Sequence, residues 1–306
     1  IVVHGGAGGT SPVARRGCRK AAEIGMEILW KDGSALDASV AAVEWMENSG
    51  NFNAGRGSVL REDGKTIQMD AAVAFFNGSE VLQGLVVAVE NIRNPVLLAL
   101  EIMKSPHLEL AGLGAAAFAE KVGLLPHPGP SRLALQRYQR LREALERGEL
   151  STAAPGWTPE AYERYFGDSE QEENGSSSLA ATGKECDTVG AIALDRSGRV
   201  ATSASTGGMN LMLSGRVGDV ANRGAGFQIG PRGGVLATGV GEEIIRQEGS
   251  WKVFQLIQVG LHPQQACEQV VQLFAPKFPV GFIALRNDGV MGIASNRDMP
   301  SYSVVE

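Results

Sequence analysis

The sequence has few cysteines, no long apolar run and no excess of basic residues. Its three cysteines, Cys18, Cys186 and Cys267, are far apart and form no Cys-x-x-Cys spacing, so neither a disulfide framework nor a zinc knuckle is indicated. No apolar run approaches the roughly 20 residues that a membrane-spanning helix needs, and no basic segment followed by an apolar one suggests a signal peptide. These absences predict a cytoplasmic protein without a membrane partner.

Acidic residues outnumber basic ones. Lys and Arg total 28 and Asp and Glu total 34, which gives a formal net charge of −6. Because nucleic-acid-binding proteins usually present a broad basic surface, this balance argues against a nucleic-acid partner. We therefore expect a small-molecule or dipeptide substrate.

Glycine is abundant and clustered. The chain contains 40 glycines in 306 residues, which is nearly twice the usual share of about 7%. The length suits one large α/β or α+β domain with a sizeable core. The glycine clusters follow strand or helix signals, where the backbone must turn sharply or approach another group closely.

Strand and helix signals alternate along the chain. Strand patterns occur at about 1–3, 81–89, 188–194 and 199–205, and residues 58–74 predict a hairpin with its turn at 62–64. Helical patterns occur at about 12–31, 34–50, 95–103, 112–122 and 131–148. Residues from about 151 to 187 have no periodicity and little apolar content, which predicts a mobile linker between two halves of the chain.

Thr188 stands where this polar linker meets a buried strand, directly after Asp187. A hydroxyl is a weak nucleophile at neutral pH, but a chain-terminal threonine carries its own base in the free α-amino group. Cleavage between these two residues would create such a terminus. A lone threonine at the start of a strand is usually structural, so the hypothesis depends on the motifs that surround it.

Several glycine-rich motifs accompany Thr188 in a fixed order. Downstream lie Ser205-Thr206-Gly207-Gly208, Gly215-Arg216-Val217-Gly218-Asp219, Gly224-Ala225-Gly226 and Ala237-Thr238-Gly239-Val240-Gly241-Glu242. Upstream lie His4-Gly5-Gly6-Ala7-Gly8, Gly33-Ser34-Ala35-Leu36-Asp37-Ala38, Phe52-Asn53-Ala54-Gly55-Arg56-Gly57-Ser58, Met69-Asp70-Ala71 and Arg93-Asn94-Pro95-Val96. With Asp187-Thr188-Val189-Gly190, this set resembles the N-terminal nucleophile (Ntn) hydrolases of the plant-type asparaginase and isoaspartyl peptidase group, whose relatives include glycosylasparaginase and threonine aspartase. The resemblance spans nearly the whole chain.

The resemblance implies an α+β fold, a four-layer αββα sandwich formed by a single domain at 1–306. It further implies cleavage after Asp187 into an α subunit, 1–187, and a β subunit, 188–306, which assemble as a dimer of processed heterodimers. The implied reaction is hydrolysis of the side-chain amide of L-asparagine or of β-aspartyl peptides through an acyl-enzyme.

The same resemblance assigns the catalytic groups. Thr188 becomes the nucleophile, and Thr206 forms a hydrogen bond with its hydroxyl. Thr238 and the backbone N–H of Gly239 become the oxyanion hole, a fixed pair of donors for the charge that develops on the attacked carbonyl oxygen, and Gly239 also contacts the substrate.

Arg216 and Asp219 become the substrate clamp. The guanidinium of Arg216 suits the substrate α-carboxylate, and Asp219 suits the α-ammonium. Without the resemblance, this pair would be an ordinary surface ion pair. Asn53 becomes a residue that positions the nucleophile or the substrate, although its side chain could instead only tie the glycine-rich loop together.

No cofactor is expected for catalysis, but the resemblance implies a structural sodium ion. Its ligands would be main-chain carbonyl oxygens, which suit a hard cation. The corresponding residues are Met46, Glu47, Ser49, Phe52, Ala54 and Arg56. The four histidines, His4, His107, His127 and His262, show no metal-ligand spacing.

Three departures from the family pattern leave the substrate open between asparagine, a β-aspartyl peptide and a larger molecule. Leu211 and Met212 replace an Asn-Lys pair and suggest a more apolar wall of the site. Val240 replaces a polar residue, and Asp187 stands where asparaginases of this group usually have glycine.

Two other hypotheses remain. The first is an unprocessed or catalytically silent relative that binds an amino acid. The second is a nucleotide-binding module built on the glycines at 5–9, although these lack the Lys-Ser/Thr of a P-loop.

Overall fold

The computed structural model describes residues 1–8, 11–148, 160, 164–165 and 188–304. Up to residue 148 it contains β1 (Val2–His4), α1 (Pro12–Trp30), α2 (Ala35–Ser49), a 3-10 turn (Gly55–Gly57), β2 (Met69–Phe76), β3 (Val81–Val89), α3 (Pro95–Met103), β4 (Glu109–Ala111), α4 (Gly112–Lys121) and α5 (Arg132–Glu146). From residue 188 onward it contains β5 (Val189–Leu194), β6 (Val200–Thr206), β7 (Phe227–Gly230), β8 (Gly233–Gly239), α6 (Gly241–Gln247), α7 (Gly249–Gln258), α8 (Pro263–Val271), β9 (Val280–Arg286), β10 (Met291–Ser295) and β11 (Ser301–Ser303).

The strands form two sheets. The larger has the order β11-β1-β5-β6-β2-β3-β4, and the smaller has the order β10-β9-β8-β7. Neighbouring strands are antiparallel, except that β3 and β4 are parallel. Strands from both sides of the predicted linker therefore share the larger sheet.

Side chains of successive strand residues point to opposite faces of each sheet, and this divides the apolar core into three layers. On β5, Ile192 packs between the two sheets, whereas its neighbour Ala191 packs against the helices α1–α4. On β9, Ile283 packs between the sheets, and Phe282 packs against α7 and α8. Because successive strand residues point to opposite faces, both sheets are covered on both sides. The architecture is a four-layer αββα sandwich, which confirms the predicted fold class.

The predicted helices are present, with ends that local side chains explain. The hydroxyl of Ser11 accepts a hydrogen bond from Ala14 N–H at the start of α1, and that of Ser34 accepts one from Asp37 N–H at the start of α2. Gly50 ends α2 in the left-handed conformation, with φ of 68°. None of the helices in the described ranges is long and apolar enough to cross a membrane.

The predicted hairpin at 58–74 is wrong. Residues 58–60 form no strand, and the backbone N–H of Arg61 instead donates to the carbonyl oxygen of Thr66 at 2.9 Å, which closes a turn. The strand β2 begins only at Met69, and its two edges pair with β3 and β6. Since both edges of β2 are occupied, residues 58–60 cannot pair with it as a hairpin partner. The predicted linker at about 151–187 lies outside the described residues, apart from 160 and 164–165, and Asp187 lies outside them as well.

Candidate active site

Thr188 and Thr206 are neighbours because β5 and β6 form one hairpin. The register pairs Val189 with Ser205, so the residue before β5 lies beside the residue that ends β6. The hydroxyl of Thr188 donates a hydrogen bond to Oγ1 of Thr206 at 3.1 Å, and both residues are buried. The structure thus places the predicted nucleophile against a second hydroxyl at the open end of the hairpin.

Two glycine-rich segments hold this end in place. The N–H of Gly208 donates to Oγ1 of Thr206 at 3.1 Å. The side chain of Asn53 donates to the carbonyl oxygen of Gly208 at 2.6 Å and accepts from Val59 N–H at 3.0 Å. A Cβ on Gly207 would lie only 2.4 Å from Oδ1 of Asn53, so this close approach requires glycine. Asn53 therefore ties its own loop to the turn after Thr206.

A cavity of about 120 Å³ opens beside the two threonines. The structure brings five of the predicted site residues to its wall, while Asn53 and Thr238 are not among those that line it. Its lining residues are Thr188, Thr206, Gly208, Met209, Asn210, Arg216, Gly218, Asp219, Gly239, Val240 and Pro279.

Arg216 forms an ion pair with Glu242, a residue for which the sequence predicts no role in the site. Its Nε and Nη2 atoms donate to Oε1 and Oε2 of Glu242, each at 2.8 Å. Glu242 is the last residue of the motif at 237–242, but nothing in the sequence relates it to Arg216, which lies 26 residues earlier. This carboxylate is the main addition that the structure makes to the predicted site.

Asp219 is a buried carboxyl group. Burial raises its pKa to about 7, and the nearby charge of Arg216 only partly opposes this effect. Its Oδ2 atom has no hydrogen-bond partner within the described ranges. Burying a hydrogen-bond acceptor without a donor costs free energy. The carboxyl group of Asp219 is therefore well suited to bind a cation that enters the cavity.

The predicted oxyanion hole lies at the end of β8. The hydroxyl of Thr238 is buried and makes no hydrogen bond to any described residue. Gly239 has φ of 139°, and a Cβ there would be 2.1 Å from the carbonyl oxygen of Pro279. Position 239 therefore requires glycine, and the preceding residue, Thr238, carries a hydroxyl group that can donate a hydrogen bond.

A segment far from the site in sequence supports the loop that carries the clamp. The side chain of Asp70 accepts from Gly218 N–H at 3.2 Å, and that of Gln68 accepts from Gly215 N–H at 2.6 Å. The guanidinium of Arg61, which is fully buried, donates to the carbonyl oxygen of Arg216 at 3.3 Å. The backbone of residues 215–218 is therefore held by side chains of residues 61–70.

The expected apolar wall from Leu211 and Met212 is wrong. Leu211 has φ of 55°, which turns its side chain into a small cluster with Ala144 of α5. Met212 is also buried, and its carbonyl oxygen accepts from Glu62 N–H at 3.3 Å. Neither residue lines the cavity, whereas Val240 does.

The loop expected to hold sodium offers main-chain oxygens. Three of the six expected carbonyl oxygens already accept hydrogen bonds: that of Phe52 from Ala54 N–H at 2.9 Å, that of Ala54 from Gly57 N–H at 3.1 Å and that of Met46 from the Ser49 hydroxyl at 2.8 Å. The side chain of Glu47 is engaged elsewhere, since it accepts from Asn94 Nδ2 and Val96 N–H. The described residues contain no group of three or more His, Cys, Asp or Glu that could hold a metal ion. Carbonyl ligation fits a hard cation.

Gly5 and Gly6, which follow β1, use their N–H groups within the protein. The N–H of Gly5 donates to the carbonyl oxygen of Pro300, and that of Gly6 donates to Nδ1 of His4. A Cβ on Gly5 would be 2.6 Å from the ring of Phe52, so steric packing explains this glycine. The described part of the motif therefore gives the nucleotide-binding hypothesis no support.

Comparison with known proteins shows a family match over nearly the whole chain. The model of the family described as Asparaginase matches residues 1–305. A plant-type L-asparaginase from Pyrococcus abyssi is 33% identical over 100% of this chain and 96% of its own. Isoaspartyl peptidase/L-asparaginases from Rattus norvegicus and Homo sapiens are 37% and 36% identical over 80% of this chain, and over 67% and 72% of their own lengths.

Proposed function

This chain belongs to the Asparaginase family of amide-bond hydrolases, and from this premise we propose that it hydrolyses the side-chain amide of L-asparagine, of β-aspartyl peptides, or of both. The observation that carries the proposal is the hydrogen bond between Thr188 and Thr206 at the wall of a cavity that also contains Arg216 and Asp219. A nucleophile and two opposite charges then face one small substrate.

The first chemical step requires a free α-amino group on Thr188, which cleavage after Asp187 supplies. This amine accepts the hydroxyl proton as the oxygen attacks the side-chain carbonyl carbon of the substrate. The hydroxyl of Thr238 and the N–H of Gly239 stabilise the negative charge on the carbonyl oxygen. The C–N bond then breaks, the amine returns the proton to the leaving nitrogen, and ammonia or a peptide amine departs.

The second step releases the product. Water attacks the ester that joins the aspartyl group to Thr188, and the α-amino group again accepts a proton. The C–O bond breaks, the threonine hydroxyl is restored and aspartate leaves. Thr206 orients the Thr188 oxygen, which is the nucleophile in the first step and the leaving group in the second, and its own oxygen is fixed by Gly208 N–H.

The clamp selects the zwitterionic head group of an aspartyl substrate. Arg216 binds the α-carboxylate through charge-assisted hydrogen bonds. Asp219 binds the α-ammonium, which would pair its otherwise unpartnered oxygen. A cavity of about 120 Å³ has room for one small head group, and a peptide's second residue would extend beyond it.

Three further features belong to the proposal. A sodium ion held by carbonyl oxygens of the 46–56 loop would brace the segment that carries Asn53. The processed chains would assemble as a dimer of αβ heterodimers. The buried thiols of Cys18 and Cys267 suit a reducing compartment such as the cytoplasm.

The test begins with the intact mass of the purified protein under denaturing conditions. We expect two fragments, 1–187 and 188–306, together with hydrolysis of L-asparagine or of a β-aspartyl dipeptide. Thr188→Ala should abolish both cleavage and hydrolysis, and the matched variant Thr188→Ser, which keeps a hydroxyl, should retain part of each. A wild-type chain that stays single after long incubation would favour the silent amino-acid binder, and hydrolysis by the alanine variant would refute the nucleophile.

A further inference from the structure

Glu242 has no part in the mechanism above, yet both of its carboxylate oxygens accept hydrogen bonds from Arg216 of the clamp. Its two carboxylate oxygens each lie 2.8 Å from a nitrogen of Arg216. The side chain of Arg216 is 13% exposed and that of Glu242 is 39% exposed, so the pair is partly shielded from solvent. Burial alone would raise the pKa of Glu242, but the hydrogen bond and charge of Arg216 bring it below the ordinary value. Glu242 is therefore ionised near neutral pH.

The guanidinium group has two edges that can each bind a carboxylate through parallel hydrogen bonds. Glu242 occupies the edge formed by Nε and Nη2. The remaining edge is formed by Nη1 and Nη2. Across the residues that the structure describes, nothing accepts a hydrogen bond from Nη1, and the other contact of Nη2 is the thioether sulfur of Met209 at 3.5 Å. Sulfur is a weak acceptor, so a carboxylate oxygen can replace it readily.

We propose that Glu242 is a positioning residue that fixes the Nε/Nη2 edge of Arg216 and thereby presents the Nη1/Nη2 edge to the substrate α-carboxylate. The inference rests on the proposed function and deepens it. A long arginine side chain has many rotamers, and holding it in one of them before the substrate arrives lowers the entropy cost of binding. The backbone of Arg216 is already fixed by Arg61, so Glu242 completes the restraint at the other end of the side chain.

A carboxylate on Arg216 could instead compete with the substrate. The two roles predict opposite effects on KM. If Glu242 positions the guanidinium, its removal raises KM. If it occupies the substrate's place, its removal lowers KM.

The experiment measures kcat and KM for L-asparagine, or for a β-aspartyl dipeptide if that is the better substrate, with the processed enzyme. Loss of a charge-assisted hydrogen bond predicts that Glu242→Gln raises KM by about 5- to 20-fold. We expect kcat to change by less than about twofold, since Glu242 does not touch the reacting atoms. Glu242→Asp keeps the charge, but its side chain is one methylene shorter, so its carboxylate cannot reach both nitrogens of Arg216. It should also raise KM, which a purely electrostatic role would not do.

The matched control is Glu243→Gln. Glu243 is the neighbouring acidic residue of α6, but it pairs with Arg246 on the surface and does not line the cavity. Its variant should keep wild-type KM. Melting temperatures of all variants establish that they are folded.

Each other outcome has a distinct meaning. Unchanged KM in both Glu242 variants would reduce the pair to an ordinary ion pair and overturn the inference. A lower KM would show competition and also overturn it. A wild-type enzyme that hydrolyses neither substrate would instead overturn the proposed function, whatever the Glu242 variants do.

Discussion

Thr188 and Thr206 face each other across the open end of one β-hairpin, with their hydroxyl oxygens 3.1 Å apart. The pairing of Val189 with Ser205 fixes this separation, because the register of an antiparallel pair determines which side chains are opposite. The second hydroxyl therefore belongs to the same rigid element as the first. A nucleophile held in this way loses little freedom when a substrate binds.

The first prediction concerns Thr206. Thr206→Val keeps the branched shape of the side chain but removes the oxygen that accepts from Thr188. We expect kcat to fall by at least about 100-fold, with a smaller change in KM, because the nucleophile loses its orienting partner. Thr206→Ser, which restores a hydroxyl, should recover most of the loss.

Thr202→Val is the control for this prediction. Thr202 is also a buried threonine of β6, but it does not line the cavity. Its variant should keep kcat within about twofold of wild type, since it changes only packing. Equal losses in the two valine variants would show that the Thr206 effect is structural.

The sequence predicts those parts of the site that depend on local structure. The turn at Asp195–Gly198 between two apolar runs predicts the hairpin, and the hairpin places Thr188 beside Thr206. The pairing of Glu242 with Arg216 depends instead on how the end of β8 approaches the loop after β6. No local propensity contains that information, because it follows from tertiary packing.

The wrong prediction of a hairpin at 58–74 also results from tertiary packing that the local sequence does not reveal. The first half of the predicted hairpin forms no strand, because both edges of β2 are already paired with β3 and β6. The second half forms β2 from Met69 onward, and Gln68 and Asp70 at its start support the clamp. Likewise, Leu211 departs from the family pattern in a way that suggests a change in the cavity, while its positive φ directs it into a separate cluster.

The second prediction concerns this support. Asp70 accepts hydrogen bonds from the N–H groups of Gly218 and Ala88 at 3.2 and 2.8 Å. In Asp70→Asn one of these donors would meet an amide nitrogen, and an unsatisfied buried donor costs about 1–3 kcal/mol. The backbone between Arg216 and Asp219 should then shift, so we expect KM for L-asparagine to rise by about 10-fold, with a lower melting temperature.

Asp63→Asn provides the comparison. Asp63 lies in the same segment, but among the described residues its carboxylate accepts only from Lys65 and Thr66 within its own exposed turn. We expect its KM to match that of wild type. A rise of equal size in both variants would mean that the segment matters for stability alone.

The third prediction concerns Gly241, which lies against both charges of the clamp. A Cβ at this position would be 2.8 Å from Oδ1 of Asp219 and 3.0 Å from Nη2 of Arg216. Gly241→Ala should therefore push the two side chains apart, with a strain of about 1–3 kcal/mol that is typical of overpacking. We expect kcat/KM to fall by about 10-fold or more.

Gly114→Ala tests whether this loss is specific. Gly114 lies within α4, and a Cβ there would meet no atom within 4 Å. Alanine should stabilise this helix by up to about 1 kcal/mol and leave kinetics unchanged. Wild-type kinetics in Gly241→Ala would show that the clamp tolerates a methyl group and that the close contacts do not constrain it.

The last prediction concerns pH and follows from the burial of Asp219, which raises its pKa to about 7. Only the ionised carboxylate attracts the α-ammonium of the substrate. As pH falls below about 7 in the empty site, a growing fraction of Asp219 is protonated, and KM should rise by up to about 10-fold for each further pH unit. Bound substrate places a positive charge beside the carboxylate and lowers its pKa, so kcat should be affected only at lower pH.

Steady-state kinetics between about pH 5 and pH 9 separate this effect from titration of the Thr188 α-amino group, because loss of that base lowers kcat. Asp219→Asn cannot ionise, so its KM should be high at every pH and should lose the rise below about pH 7. If KM of the wild-type enzyme stays constant from about pH 5 to pH 8, Asp219 is already ionised in the empty site at acidic pH, despite its burial.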